Sequence, residues 1–193
     1  MNHLIVYSHP NPKSFNHAIL ETYEQSLIEQ GHEVRVRDLY AINFDPVLSA
    51  EDLELAQRRE YQADVRHEQE MVAWADVITF ICPVWWAGLT ANLRGYVDRV
   101  LSSGFAYEFG PDGHQKLLAN KHLVLINTMN APYDIYQNSG MLKSMTQTID
   151  ECLTDFTGIQ VAAHAYFGSV AGCSREERLS MLDQVRALAA QFC

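Results

Sequence analysis

The stretch DVITFIC (residues 76–82) reads as an unbroken apolar strand, and KHLVLINT (121–128) reads as another. Strands of this kind are buried on both faces, which is the signature of a parallel sheet covered by helices. The segments between them carry the other period. Phe15, Ile19, Tyr23 and Leu27 recur every four residues, with Ser14 placed to cap the helix start and Gly31 placed just past its end. HLIVYS (3–8) is a β-rich run stopped by the prolines of HPNPKS, and HEVRVRDL (32–39) alternates as a second strand. NFDPVLS reads as loop, and SAEDLELAQRR and VRHEQEMVAWAD as two helices. A further helix is predicted near 89–102, an aromatic-bearing loop at GFAYEFGPDG, and helix over 139–157. IQVAAHAYFGSV (159–170) is the last predicted strand, before the capped terminal helix SREERLSMLDQVRALAAQF. Strands alternating with helices predict an α/β fold: about five parallel strands with helices on both faces, a three-layer sandwich in one domain over residues 1–193.

Composition narrows the partners. The net charge of −10 argues against a nucleic acid or an anionic membrane surface, both of which select for basic patches. Cys82, Cys152, Cys173 and Cys193 stand far apart with no Cys-x-x-Cys pair, so neither a structural zinc site nor a thioredoxin-like motif is expected, and free thiols suit a reducing compartment. The opening MNHLIVYSH has no basic region before a long apolar stretch, and no run reaches the roughly 18 apolar residues that span a bilayer. The expectation is a cytoplasmic protein with no integral membrane segment and no metal.

Several common uses of an α/β fold are missing. No G-x-G-x-x-G follows the first strand, no G-x-x-x-x-G-K-[ST] occurs, and no G-x-S-x-G elbow is present. HEVRV and HEQEM begin like a metalloprotease motif but lack the second histidine. Ligands of doubly wound folds sit at the carboxyl ends of the strands, so three loops carry the information. In SHPNPKSFN, free N–H groups at the helix start, with Lys13, Ser14, Asn16 and the nearby His9, suit a phosphate; the plainer alternative makes Ser14 only a cap. In PVWWAG, Pro83 interrupts the strand, Gly88 permits a tight turn, and the tryptophans either wall a flat ring or close the end of the core. In NTMNAPYDIYQNSG, polar residues follow a buried strand, and Tyr133 or Tyr136 either reaches the site or is an ordinary loop residue.

Together, IVYSHPNPKSFNHA, VRDLYAINFDPVLS, ADVITFICPVWWAGLTANLRGYVDRVLSSGFAYEF and HLVLINT resemble the NAD(P)H:quinone oxidoreductases of the flavodoxin-like superfamily. That group includes the DT-diaphorases, the modulator-of-drug-activity proteins and the potassium-efflux ancillary proteins. The resemblance implies a noncovalent flavin, FMN with FAD as the alternative, and NADPH or NADH as reductant. It assigns the flavin's phosphate region to His9, Ser14, Phe15 and Asn16, and its ring to Pro83, Val84, Trp85, Trp86 and Ala87. Asn127, Thr128, Met129 and Asn130 would meet the pyrimidine side, Phe105 and Tyr107 would shape the nicotinamide and quinone pocket, and a homodimer would carry the site at its interface. The family's fourth loop reads Thr-Thr-Gly-Gly followed by a Tyr and a His. This chain has Asn127-Thr128-Met129-Asn130 and no histidine in the segment after it, which leaves Tyr133 and Tyr136 as the candidate catalytic tyrosines.

The implied reaction is ping-pong: hydride from NAD(P)H to the flavin, then two electrons to a quinone-like acceptor. Two alternatives stay open, an electron-transfer flavodoxin and an ancillary subunit of a membrane transporter. Ordinary flavodoxins carry a hydroxyl- and glycine-rich phosphate loop after the first strand, which SHPNPKSFN is not.

Overall fold

A computed structural model describes residues 1–192; Cys193 lies outside them. In chain order the elements are β1 (Asn2–Tyr7), α1 (Phe15–Glu29), β2 (Glu33–Asp38), α2 (Ala50–Gln57), α3 (Ala63–Trp74), β3 (Val77–Pro83) and α4 (Ala91–Val100). They continue as β4 (Tyr107–Gly110), β5 (Gly113–Lys116), β6 (His122–Thr128), α5 (Tyr133–Asn138), α6 (Met141–Thr146), α7 (Cys152–Thr157), β7 (Gln160–Phe167) and α8 (Arg175–Ala189). A π turn, Gln147–Glu151, joins α6 to α7. The main sheet is five-stranded and parallel in the order β2-β1-β3-β6-β7, so the order reverses between β1 and β3. This is the predicted flavodoxin-like sandwich.

The apolar runs split by parity, as the pleat requires. Leu4, Val6, Ile78, Phe80, Leu123 and Leu125 face one helical layer, against α3 and α4. Ile5, Tyr7, Val77, Ile81, Val124 and Ile126 face the other, against α1 and α8. Burying each such aliphatic side chain contributes about 1.5–3 kcal/mol, and most of these are wholly buried. Ser14 caps α1 by accepting the His17 N–H, and Gly31 takes a left-handed φ of 82° after it, as the sequence predicts. Reciprocal capping boxes start α2 (Ser49 and Asp52) and α8 (Ser174 and Glu177).

Three segments depart from expectation. GFAYEFGPDG is not loop throughout: Tyr107 pairs with Lys116 and Gly110 with Gly113 in an antiparallel hairpin, because Tyr107 and Phe109 alternate with polar neighbours up to a two-residue turn. Tyr133–Asn138, expected as loop, is a helical turn and a half. The helix expected over 139–157 is broken by the π turn. Pro83 also behaves differently from the expected strand breaker. It pairs with Thr128, and the ladder runs on through the Val84 N–H to the Thr128 carbonyl at 2.7 Å. The missing N–H of Pro83 points away from β6, toward the side where β1 has already ended at Tyr7.

The helices on the α3–α4 face are tied by a buried cation. Arg99 is 3% exposed; its guanidinium donates to Asp52, to Asp64 and to the Asp45 carbonyl. Burial works to raise the Asp52 carboxyl, but hydrogen bonds from Arg99 and Ser49 outweigh it and hold the group below its ordinary value. The stability this contributes is complete above the unfolded value of 3.8 and is lost as pH falls through the lower folded value. Denaturant unfolding of Asp52→Asn against the wild type should therefore show a deficit near neutral pH that narrows in acid. Gly95 is placed by packing: a Cβ there would lie 2.2 Å from the Pro46 carbonyl oxygen. Gly95→Ala is expected to cost about 1–3 kcal/mol in the same measurement.

Candidate active site

The carboxyl ends of β1, β3 and β6 bring the three predicted loops to one edge. After β1, Ser14 Oγ lies 3.2 Å from the Tyr7 hydroxyl and caps His17. The N–H groups of Phe15 and Asn16, first in α1, have no carbonyl four residues earlier inside the helix to bond. His9 Nδ1 accepts the Asn11 N–H at 3.0 Å, so a neutral ring carries its hydrogen on Nε2. Burial pulls its pKa below the usual value and favours that neutral form. Asn16 is 4% exposed; its Nδ2 donates to Thr128 Oγ1 at 2.8 Å, and its Oδ1 is buried with no partner. Phe15 turns its ring toward α8, beneath Arg178, so only its backbone serves this edge.

After β3 the chain closes a two-residue reverse turn. Trp85 and Gly88 exchange both backbone hydrogen bonds, at 3.2 and 3.1 Å. Between them Trp86 (φ 53°) and Ala87 (φ 57°) both take the left-handed conformation, the pattern of a type I′ turn that Asn-Gly adopts without strain. Gly88, which the sequence suggested for the turn, is not in that conformation. Trp86 is 103% exposed at the tip, and Trp85 is 46% exposed with its ring 6.1 Å from that of His9. Val84 and Ala87 pack inward on a buried cluster of Met129, Leu142 and Met145, as do Tyr136 and Tyr166.

After β6 the side chains alternate in and out of reach. Thr128 meets Asn16, while Asn127 and Met129 are buried, and Asn130 alone of the four is exposed. Backbone groups tie this loop to the one after β7: the Met129 N–H donates to the Phe167 carbonyl at 2.8 Å and the Ser169 N–H to the Ala131 carbonyl at 3.2 Å. Tyr136 packs on the Met129, Leu142 and Met145 cluster, whereas Tyr133 is 47% exposed at the start of α5. Phe105 and Tyr107 do not join these loops within one chain. Phe105 packs on the α3–α4 core, and Tyr107 lines a cavity of about 580 Å³ with Leu53, Leu89, Val97, Leu153 and Phe156.

Beneath this edge lie polar groups that, Asn127 apart, no motif in the sequence singles out. Ser8 Oγ and Thr90 Oγ1 lie 2.7 Å apart, and Asn127 joins Cys82 to His164, which meets Asp150. The one signal in the sequence was HAY in β7, which sets His164 and Tyr166 on the same face of the strand. Burial pushes the Cys82 thiol up to about 12, against hydrogen bonds from Thr90 and Asn127, so it is no nucleophile at neutral pH.

An unpartnered amide oxygen as acceptor, free helix-start N–H groups, a neutral histidine donor and two exposed indoles form a set that fits a ligand with a phosphate, hydroxyls and a flat ring. A left-handed non-glycine residue costs on the order of 1–3 kcal/mol. Ala87→Gly is expected to raise thermal stability by about 1 kcal/mol, read as a higher unfolding midpoint of the free protein; no change would mean the turn is unstrained.

The flavodoxin-like fold family model matches residues 1–189. A Haemophilus influenzae protein named as an uncharacterized NAD(P)H oxidoreductase is 38% identical over 99% of this chain and 93% of its own length. The human ribosyldihydronicotinamide dehydrogenase [quinone] is 30% identical over 93% of this chain and 86% of its own. Among solved structures, an NAD(P)H:quinone oxidoreductase from Methanothermobacter marburgensis superposes with a TM-score of 0.88 at 27% identity, over 98% of this chain and 95% of that one. On this fold and these relatives, the chain belongs to the NAD(P)H:quinone oxidoreductase family of flavodoxin-like proteins.

Proposed function

We propose that this protein is a flavin-dependent NAD(P)H:quinone oxidoreductase that works by a ping-pong sequence on one ligand edge. The oxidoreductase class follows from the family, and the observation that carries the cofactor is the set of polar groups at the carboxyl edge, above all the buried Asn16 amide oxygen left without a partner. A flavin held there supplies two-electron hydride chemistry between NAD(P)H and a quinone-like acceptor.

The chain's own groups divide the work. The Phe15 and Asn16 N–H groups, with the positive end of α1, would hold a phosphate, and His9 Nε2–H would donate to it. Asn16 Oδ1 would accept from a ligand hydroxyl. The turn Trp85–Gly88 would meet the ring with its indoles, and the backbone of Thr128 to Asn130 would border the pyrimidine side, because the side chains of Asn127 and Met129 are already engaged in the interior. Tyr136, which shares the Met129 cluster with Val84 and Ala87, is the better placed of the two candidate tyrosines; Tyr133 stands further out. FMN is the cofactor favoured, since the phosphate site is formed by the β1 loop itself.

The apolar cavity beside the ring loop supports the homodimer. Leu53 and Phe156 at its mouth are 55% and 44% exposed, and Leu89 connects it to the turn after β3. A second copy seated there would bring its own aromatic residues toward the ring, which gives Phe105 and Tyr107 the pocket role that they lack within one chain. Among the described residues no helix is long and apolar enough to cross a membrane.

An absorbance spectrum of the purified protein with FMN, before and after anaerobic NADPH, tests the proposal. A bound flavin spectrum that bleaches with NADPH and returns with benzoquinone is expected; a protein that binds neither FMN nor FAD overturns it. Asn16→Ala is expected to weaken FMN binding about tenfold, the loss of roughly one hydrogen bond in a buried site.

A further inference from the structure

A continuous strip of buried polar side chains crosses the sheet one layer beneath the ligand edge. Ser8 at the end of β1 meets Thr90, whose hydroxyl bonds Ser8 instead of capping α4. Cys82 of β3 is buried beside Thr90. Asn127 of β6 then bridges Cys82 and His164 of β7, and His164 meets Asp150 on the π turn. Ser8, Cys82, Thr90 and Asn127 are each no more than 1% exposed.

The bonds at the far end fix a protonation state. Asn127 Nδ2 donates to the Cys82 carbonyl at 3.0 Å, so its Oδ1 is the atom facing His164 Nε2 at 2.7 Å. An amide oxygen only accepts, which puts a hydrogen on Nε2. On the other side of the ring, Nδ1 lies 2.8 and 3.0 Å from the two Asp150 oxygens. A carboxylate also only accepts, which puts a second hydrogen on Nδ1. The other groups facing this pair are the neutral Cys82 thiol behind Asn127 and Tyr166, whose ring stacks on His164 at 3.9 Å. With side chains 7% and 11% exposed, His164 and Asp150 are each a charge that needs the other. Asp150 reaches this position from a π turn, a rare irregularity that recurs at functional sites.

We propose that His164 is held as an imidazolium by Asp150 and serves as a positioning residue, fixing Asn127 and thereby the Cys82 carbonyl and the strained turn Val84–Gly88. Tyr166, stacked on His164, packs on the same buried cluster of Met129, Leu142 and Met145 that takes Val84 and Ala87. The benefit to catalysis rests on the ring site proposed above, because a turn held in a left-handed conformation before ligand arrives loses less entropy on binding. The protonation and the ordering themselves can be read without any cofactor.

The experiment uses the cofactor-free, 15N-labelled full chain. Two-bond 1H–15N correlation at neutral pH is expected to find both ring nitrogens of His164 protonated. An unprotonated Nδ1 there, meaning a neutral ring accepting from a protonated Asp150, overturns the proposal. In Asp150→Asn, Nδ1 is expected to lose its hydrogen, and amide exchange at Val84, Trp85 and Gly88 to quicken about tenfold while the β1–β2 ladder stays protected. His164→Leu removes the donor to Asn127 and is expected to give the same exchange readout should Asp150→Asn fail to fold. Unchanged protection at the turn, or a rise spread evenly over all amides, overturns the positioning role. A wild-type chain that binds no FMN or FAD would count against the proposed function and leave both of these readouts standing.

Discussion

The parallel pairing of β1, β3 and β6 is the constraint on which everything else depends. Because the three strands run the same way and are buried on both faces, their carboxyl ends must finish together, and every connection must leave from that edge toward a helix. The chain thus places an unpartnered amide, helix-start N–H groups and exposed indoles side by side, although the loops that carry them are separated by dozens of residues. No single loop would make a site. The edge does.

The order of that edge is maintained against local preference. Trp86 and Ala87 occupy a backbone region that glycine and asparagine enter more readily, and the turn survives because Trp85 and Gly88 close it with two hydrogen bonds while Val84 and Ala87 pack beneath. An exposed tryptophan at the tip of a strained turn contributes nothing to the core. Local strain of this kind is typical of ligand-binding positions, where the surrounding structure overrides propensity.

Below the turn, polarity replaces the aliphatic packing that fills the rest of the sheet. A row of hydroxyl, thiol, amide, imidazole and carboxyl groups is costly to bury, and hydrogen bonds join Ser8 to Thr90 and run from Cys82 through Asn127 and His164 to Asp150. The row links four strands and the π turn into one rigid unit at the level where the loops begin. Cys82 illustrates how position changes chemistry: a thiol that would be reactive on a surface is here held neutral and serves only as a neighbour.

Much of this was legible in the amino-acid order. Unbroken apolar runs at 76–82 and 121–128, a four-residue stripe from Phe15 and the cap at Ser14 determined the parallel α/β sandwich and which three loops reach its edge. Those signals are local, so the sequence carries them undiluted. What only the tertiary structure decided depends on partners remote in sequence. The hairpin at 107–116 and the short helix at 133–138 hid among loop-forming residues, and the left-handed pair turned out to be Trp86 and Ala87 in place of Gly88. Side-chain direction after β6 followed the pleat, which sends Asn127 and Met129 inward and Thr128 to Asn16. His164 and Asp150 could not be paired from spacing, because the π turn that aligns them is an irregularity in the helix period, and its geometry is set by what packs against it.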